Sequence, residues 1–121
     1  MKKLDKEIII LENLITETKE FRELYNLLYE NLIDIYKNLE IFTPNSKIEI
    51  WRKIGSAYHK IGKEQEALEA FKKCIVILKG FYKKGKLERE KKSLIDVVKN
   101  TKFTKLCGEI EEITVKKEEL I

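Results

Sequence analysis

The side chains with the clearest potential for chemistry are Arg52 and the single histidine, His59. Their spacing of seven residues brings both to the same face of a helix. An imidazole can act as a general acid or base, and a guanidinium can stabilise charge on a phosphate. A solvated helix face is the alternative explanation of the same pair. Because the sequence has no Gly-rich phosphate loop, no HExxH and no Gly-x-Ser-x-Gly, we predict no enzyme, no cofactor and no metal site.

The composition is that of a charge-coated helical protein. The chain has 121 residues, of which 38% are charged and 43% hydrophobic, with one Pro and five Gly. This length predicts a single domain, 1–121, with a modest core. The preference for Lys, Glu, Ile and Leu is common in proteins from thermophiles and from AT-rich genomes.

The cysteines and the apolar segments indicate a cytoplasmic location. Cys74 and Cys107 are too few for a disulfide scaffold or a four-ligand zinc site, so we expect both thiols to be reduced. The apolar stretch 8–11 is too short for a signal peptide. The longest strictly apolar run, 74–78, is too short to span a membrane.

Residues 3–42 have helical periodicity throughout, with apolar side chains at spacings of three and four. One helix of about 40 residues would be unusual in a compact domain. Two antiparallel helices that break near Thr16–Lys19, where β-branched and polar residues cluster, are therefore preferred. Together they make an N-terminal segment, 1–43.

The segment Thr43–Asn45 is predicted to stop this helical region, because Pro44 disfavours a helical conformation at the residue before it. Ser46 and Glu49 have the spacing of a capping box, which predicts that a new helix opens there. That helix is expected to run from about 47 to 60.

Gly62 lies in the predicted turn after that helix, where glycine suits a left-handed C-cap. A second helix is expected from about 64 to 79, and further amphipathic helices over 86–121, with either a break or only a weak point at Asn100–Thr101. No strand-like alternation occurs. The fold class is therefore predicted to be all-α, with five or six helices.

Eight residues in the middle of the chain are separated by characteristic numbers of residues. They are Trp51-x-x-Ile54-Gly55-x-x-Tyr58, then Gly62, then Ala67-x-x-x-Phe71-x-x-Cys74. This pattern closely resembles one tetratricopeptide repeat (TPR), a helix-turn-helix unit of about 34 residues, here at about 48–81 within a predicted unit 46–81. The resemblance implies an antiparallel helix-turn-helix array that binds other proteins as an adaptor or scaffold.

The matching positions have a packing logic. Gly55 is small, so the second helix can approach the first closely, and Phe71 can fill the space between Ala67 and Cys74. A shift of the pattern by 34 residues in either direction finds no second copy. Since one repeat cannot bury both of its faces, the flanking helices must act as degenerate repeats or caps, or a second subunit must cover the unit.

The resemblance also implies a partner-binding groove on the first helix of the unit. The corresponding residues are Glu49, Arg52, Ser56, His59 and Lys60. This mostly basic strip would suit an acidic segment or a C-terminal carboxylate. Some family members bind a carboxylate through a Lys and Asn pair on this face, and Ser56 stands where that Asn would be. A solvated face is the alternative interpretation.

Two other functions remain open at this point. The Arg52-x6-His59 spacing resembles the motif of HEPN-type ribonucleases, which are all-α and place two such motifs across a dimer. Seven basic residues also cluster between positions 79 and 92, beside Phe81 and Tyr82. They are Lys79, Lys83, Lys84, Lys86, Arg89, Lys91 and Lys92. Such a segment could bind single-stranded nucleic acid or an acidic protein, or could be a solvated Lys-rich helix end.

Tyr25, Tyr29 and Tyr36 recur along the second N-terminal helix. Packing against the repeat is one explanation, and a Tyr-rich interface with a partner or a second copy is the other. Both a monomer and a homodimer are compatible with the sequence.

Overall fold

The computed structural model describes residues 2–18, 21–39 and 43–116, and these residues form six α-helices and no strand. In chain order the helices are α1 (Lys2–Thr18), α2 (Arg22–Lys37), α3 (Pro44–Lys60), α4 (Glu64–Leu78), α5 (Lys84–Val98) and α6 (Lys105–Glu111). The predicted all-α array is confirmed. The first helical stretch is two helices, and residue 19 of the predicted break lies outside the described residues.

Helix α3 begins earlier than the sequence pattern predicts. Thr43 is its N-cap, and Thr43 Oγ1 accepts a hydrogen bond from the backbone N–H of Ser46 at 3.3 Å. Pro44 takes the first helical position, where its fixed φ and missing N–H cost nothing. The predicted capping box is therefore wrong, because Ser46 lies inside the first turn as a backbone donor instead of preceding the helix.

The turn between α3 and α4 depends on Gly62, as the sequence predicts. Gly62 has φ +79°, a left-handed conformation that side chains with a Cβ rarely adopt. The N–H of Gly62 donates to the carbonyl of His59 at 3.1 Å, and the N–H of Lys63 donates to that of Tyr58 at 2.9 Å. These two bonds form a Schellman motif, which satisfies the last carbonyls of α3 and reverses the chain.

Helices α3 and α4 pack at very short range. A Cβ placed on Gly55 would lie 2.6 Å from Cε1 of Phe71, so only glycine permits this contact. Ala67, Phe71 and Cys74 have no exposed surface. The expected packing of small residues around one buried ring is confirmed.

The remaining helices stack on this central hairpin. Helix α1 packs on α2, α2 on α3, and α5 on α3, α4 and α6. One cluster of buried side chains joins α3 and α4 to the C-terminal helices, and another joins them to α1 and α2. Trp51 and Tyr58 of α3 contact both clusters, so α3 lies at the centre of the array.

A buried lysine binds the end of α6 and the residues after it to α5. Lys91 of α5 is only 7% exposed, and its ammonium donates to the carbonyls of Glu111 and Ile113, each at 2.8 Å. Farther along, the N–H of Lys116 donates to the carbonyl of Phe81 at 2.8 Å. The segment after α6 is thereby held against α5 and the loop that precedes it.

Candidate functional site

A groove runs between α1 and α3, with α2 as its floor. It consists of two adjoining cavities of about 470 and 280 Å³, and Tyr36 of α2 and Lys53 of α3 line both. The larger cavity is lined by Asp5, Ile8, Ile9, Tyr36, Leu39, Ser46, Glu49, Ile50 and Lys53. The smaller is lined by Glu12, Ile15, Thr16, Tyr29, Leu32, Tyr36, Lys53, Ser56 and Ala57. These residues define the α1–α3 groove.

The shape of the groove follows from the order of packing. Helix α2 contacts both α1 and α3, so it holds the other two apart and presents Leu32 and Tyr36 between them. The α3 wall carries small side chains such as Ser56 and Ala57, which leave room above the floor. Tyr36 is only 5% exposed, so its ring is fixed in the core beneath the groove.

The charges that line the groove are mainly negative. Three carboxylates, Asp5, Glu12 and Glu49, face one ammonium, that of Lys53. Lys53 Nζ lies 3.6 Å from Glu49 Oε1 within the α3 wall. The two carboxylates of the α1 wall therefore dominate the field in the groove.

The tyrosine hydroxyls on the floor resist ionisation mainly because they are buried, and the nearby carboxylates add to this effect. Burial, followed by the negative charges of Glu12 and Glu49, raises the pKa of Tyr36 to about 12. Burial is also the main cause of the raised pKa of Tyr29, with a hydrogen bond to Tyr25 and the charge of Glu12 adding to it. Both hydroxyls are therefore neutral hydrogen-bonding groups at ordinary pH, in a site that disfavours added negative charge.

The structure separates the five groove residues predicted from the sequence. Glu49 and Ser56 line the α1–α3 groove. Arg52 turns to the opposite flank of α3, where its Nη1 lies 3.3 Å from Oε2 of Glu90 on α5. Lys60 is exposed at the last turn of α3.

His59, the fifth residue of this set, is held by the following helix. Its Nδ1 lies 2.9 Å from Oε1 of Glu64 at the start of α4. Arg52 and His59 share a flank of α3, but each is bound to a carboxylate of a different helix. The α3 residues that line the groove therefore include Lys53, which the sequence pattern did not single out, but not Arg52 or His59.

The tyrosines of α2 are used largely for packing within the chain. Tyr36 is buried, and the rings of Tyr25 and Tyr29 are half-buried with their centroids 4.8 Å apart. The large apolar side chains that α1 and α2 expose are others, among them Ile10, Leu24 and Leu27. Packing within the chain therefore accounts for the burial of Tyr36, and a Tyr-rich interface with another chain stays a prediction.

The basic segment 79–92 is divided in a similar way. Six of its seven cationic side chains are exposed, whereas Lys91 is buried and bound to the carbonyls described above. Exposed Tyr82 lies beside a cavity of about 260 Å³ between the α4–α5 loop and the start of α3. The accessible patch is therefore smaller than the sequence suggests, and it includes an exposed aromatic ring.

No protein-family model, no curated protein and no solved structure matches the chain. Within the three described ranges, none of the helices combines the length and apolar character needed to cross a membrane. In that same part of the chain, no three His, Cys, Asp or Glu side chains are grouped so that they could hold a metal ion.

Proposed function

We propose that the chain belongs to the TPR family and is a protein-interaction module that binds a segment of another protein in the α1–α3 groove. The observation that carries this proposal is the continuous groove formed by two adjoining cavities over a buried tyrosine floor. Grooves between stacked helices are common sites for peptide segments. The eight TPR-like positions between 51 and 74, with their close α3–α4 packing, support the family assignment.

The proposed occupant is a short segment that combines apolar side chains with Lys or Arg. Apolar side chains fit the surfaces of Ile8, Ile9 and Ile50 in the larger cavity. Positive charges complement Asp5 and Glu12 on the α1 wall, and such complementarity selects partners and speeds association. This occupant differs from the acidic segment expected from the sequence, because Arg52 and His59 turn away from the groove.

The dimensions of the groove limit the length of the bound segment. The α1 wall extends from Asp5 to Thr16 and the α3 wall from Ser46 to Ala57. At a rise of about 1.5 Å per residue, each wall is roughly 16 Å long. An extended peptide of about five residues spans this distance.

A binding role also agrees with the positions of the residues that could do chemistry. Arg52 forms an ion pair with Glu90, and the His59 ring is hydrogen-bonded to Glu64, so both side chains already have partners in the fold. A ribonuclease would need these groups to be available to a phosphodiester. We therefore propose a non-enzymatic adaptor, in which binding energy positions a partner protein.

Selection from displayed random peptides tests this proposal. We expect the wild-type protein to enrich sequences with Leu or Ile next to Lys or Arg. A Ser56→Trp variant fills the smaller cavity and should lose this enrichment, whereas Lys72→Trp on the exposed side of α4 should keep it. Enrichment of Asp- and Glu-rich peptides, or equal enrichment by Ser56→Trp, would contradict the proposal.

A further inference from the structure

The loop between α4 and α5 presents an aromatic ring on a fixed base. Phe81 is 5% exposed and its carbonyl accepts a hydrogen bond from the N–H of Lys116, so the loop is anchored at this residue. The next residue, Tyr82, is 52% exposed. The buried Phe81 therefore holds the neighbouring tyrosine ring outward, where a planar ligand can reach it.

Ammonium groups from two parts of the chain surround this ring. Lys83 and Lys86 line the cavity next to Tyr82, together with Pro44. Lys116, which is distant in sequence, has its Nζ 5.8 Å from the centroid of the Tyr82 ring. These four residues, Tyr82, Lys83, Lys86 and Lys116, are here called the Tyr82 patch.

The start of α5 is electrostatically unfavourable without a bound anion. Its N-cap, Lys83, makes no side-chain capping hydrogen bond, and its first turn contains Lys84 and Lys86 but no acidic residue. Cations at the positive end of a helix are unfavourable, because they repel the helix dipole. Free backbone N–H groups and positive charge together are suited to an anion.

The nearest carboxylates of α5 are used elsewhere. Oε1 of Glu88 lies 3.6 Å from the ammonium of buried Lys91, and Glu90 pairs with Arg52. The positive charge at the helix start is therefore not balanced by these two acidic neighbours in sequence. A stacking surface, clustered cations and a helix start lacking acidic side chains occur together at one place.

We propose that the Tyr82 patch binds single-stranded nucleic acid, a function that goes beyond the protein interaction proposed above. An unpaired base stacks on the Tyr82 ring, and the adjoining phosphates contact Lys83, Lys86 and the N-terminal turn of α5. Stacking requires a base that is free of its duplex, which favours a single strand over a double helix. The acidic α1–α3 groove would repel the same ligand, so the two sites are distinct.

Fluorescence anisotropy with a labelled oligouridine of about 12 nucleotides tests this inference. Two or three phosphate contacts predict an affinity that falls about ten-fold between about 50 and 200 mM salt. Tyr82→Ala should weaken binding roughly five- to hundred-fold through the lost stacking, and Tyr82→Phe should keep most of the affinity.

Charge variants separate a specific patch from general attraction to a basic protein. The double variant Lys83→Gln and Lys86→Gln should weaken binding and flatten its salt dependence. The matched control, Lys72→Gln and Lys105→Gln, removes the same charge from exposed positions on other helices and should bind like the wild type.

Several results would overturn the inference. They are no binding at the lower salt concentration, equal losses in the patch and control variants, or wild-type affinity in Tyr82→Ala. Tighter binding to a polyglutamate peptide than to the oligonucleotide would identify the patch as a site for an acidic protein. Tighter binding to a duplex of the same length than to the single strand would equally exclude binding through a stacked, unpaired base.

Discussion

The central hairpin α3–α4 and the N-terminal hairpin α1–α2 have helices of similar length but differ in how tightly they pack. In α3–α4, a glycine lets Phe71 lie directly on the facing backbone, and the side chains at the contact have no exposed surface. In α1–α2, the contact side chains Ile15 and Leu28 retain 7% and 8% exposure, and Leu24 and Leu27 point to solvent. The two hairpins therefore have different tasks in the same array.

The difference shows how this small fold can be stable and still offer a binding site. The α3–α4 hairpin joins both buried clusters and packs very closely at Gly55 and Phe71, so it acts as the scaffold. The α1–α2 hairpin touches this scaffold through α2, which leaves α1 separated from α3 by the groove. Less complete packing at the N-terminal end is thus the structural cause of the site.

The largest expected effect is that of removing the central ring. Phe71→Ala should lower the free energy of unfolding by about 3–5 kcal/mol, because the ring is fully buried and its neighbours cannot collapse into the space. Val76→Ala on the same helix is 70% exposed and should change stability by less than about 0.5 kcal/mol. Urea unfolding followed by circular dichroism measures both.

The same experiment on α2 tests whether the hairpins differ energetically. Leu28→Ala should cost about 2–3 kcal/mol, near the low end for a buried leucine, because its site lies beside exposed side chains and can relax. If Leu28→Ala lowers the free energy of unfolding as much as Phe71→Ala does, both hairpins contribute equally to stability. The division into a scaffold and a groove wall would then be wrong.

A smaller effect is expected from adding one methyl group at the close contact. Gly55→Ala should destabilise by about 1–2 kcal/mol, since the clash with the Phe71 ring exceeds the gain in helix propensity. Gly108→Ala in α6 has no heavy atom within 4 Å of the new Cβ and should stabilise by up to about 1 kcal/mol. Stabilisation by both variants in thermal unfolding would rule out the tight contact.

The smallest expected effect is a difference between the two cysteine thiols in their reaction with a thiol reagent. Burial raises the pKa of the Cys74 thiol to about 12, and Cys74 Sγ lies 3.8 Å from the carbonyl oxygen of Ile48, to which it donates. At about pH 8 we expect half-buried Cys107 to react with a thiol reagent in the native protein, and Cys74 only when the central hairpin opens. Simultaneous reaction of both thiols would mean that the hairpin opens readily.

The raised pKa also sets the direction of a pH effect. The unfolded thiol ionises near its ordinary pKa of 9.0, whereas the folded one stays neutral until about 12. The contribution of Cys74 to stability is therefore fully present below pH 9.0 and is lost as the pH rises towards about 12. Cys74→Ala should reduce this part of the alkaline loss of stability.

The central hairpin could be predicted from the sequence because its packing requires particular residues at fixed offsets. Gly62 is needed for the left-handed turn, and Gly55 for the close approach of Phe71. The start of α3 could not be placed as well, because both Thr43 and Ser46 are good capping residues. Thr43 is the N-cap because Pro44 follows it, and the fixed backbone angle of proline suits the first helical position.

The candidate sites were less predictable because they depend on where distant helices lie. Lys53 belongs to the groove only because α2 places α1 on that side of α3. Lys91 looks like its exposed neighbours in the sequence, but the carbonyls of Glu111 and Ile113, at and just after the end of α6, bind it in the interior. Lys116 reaches Tyr82 through the folded-back C-terminal segment, a contact that no local pattern could indicate.

The most direct measurement is the affinity of a selected Lys- or Arg-containing peptide for two charge variants of equal net charge. Asp5→Asn with Glu12→Gln neutralises the α1 wall of the groove, and Glu109→Gln with Glu112→Gln neutralises two exposed residues at the other end of the array. If the groove binds the partner segment, the first pair weakens binding about two- to thirty-fold, because two exposed ion pairs are lost, and the second leaves it unchanged. Unchanged affinity in the first pair, or equal losses in both, would contradict a partner site between α1 and α3.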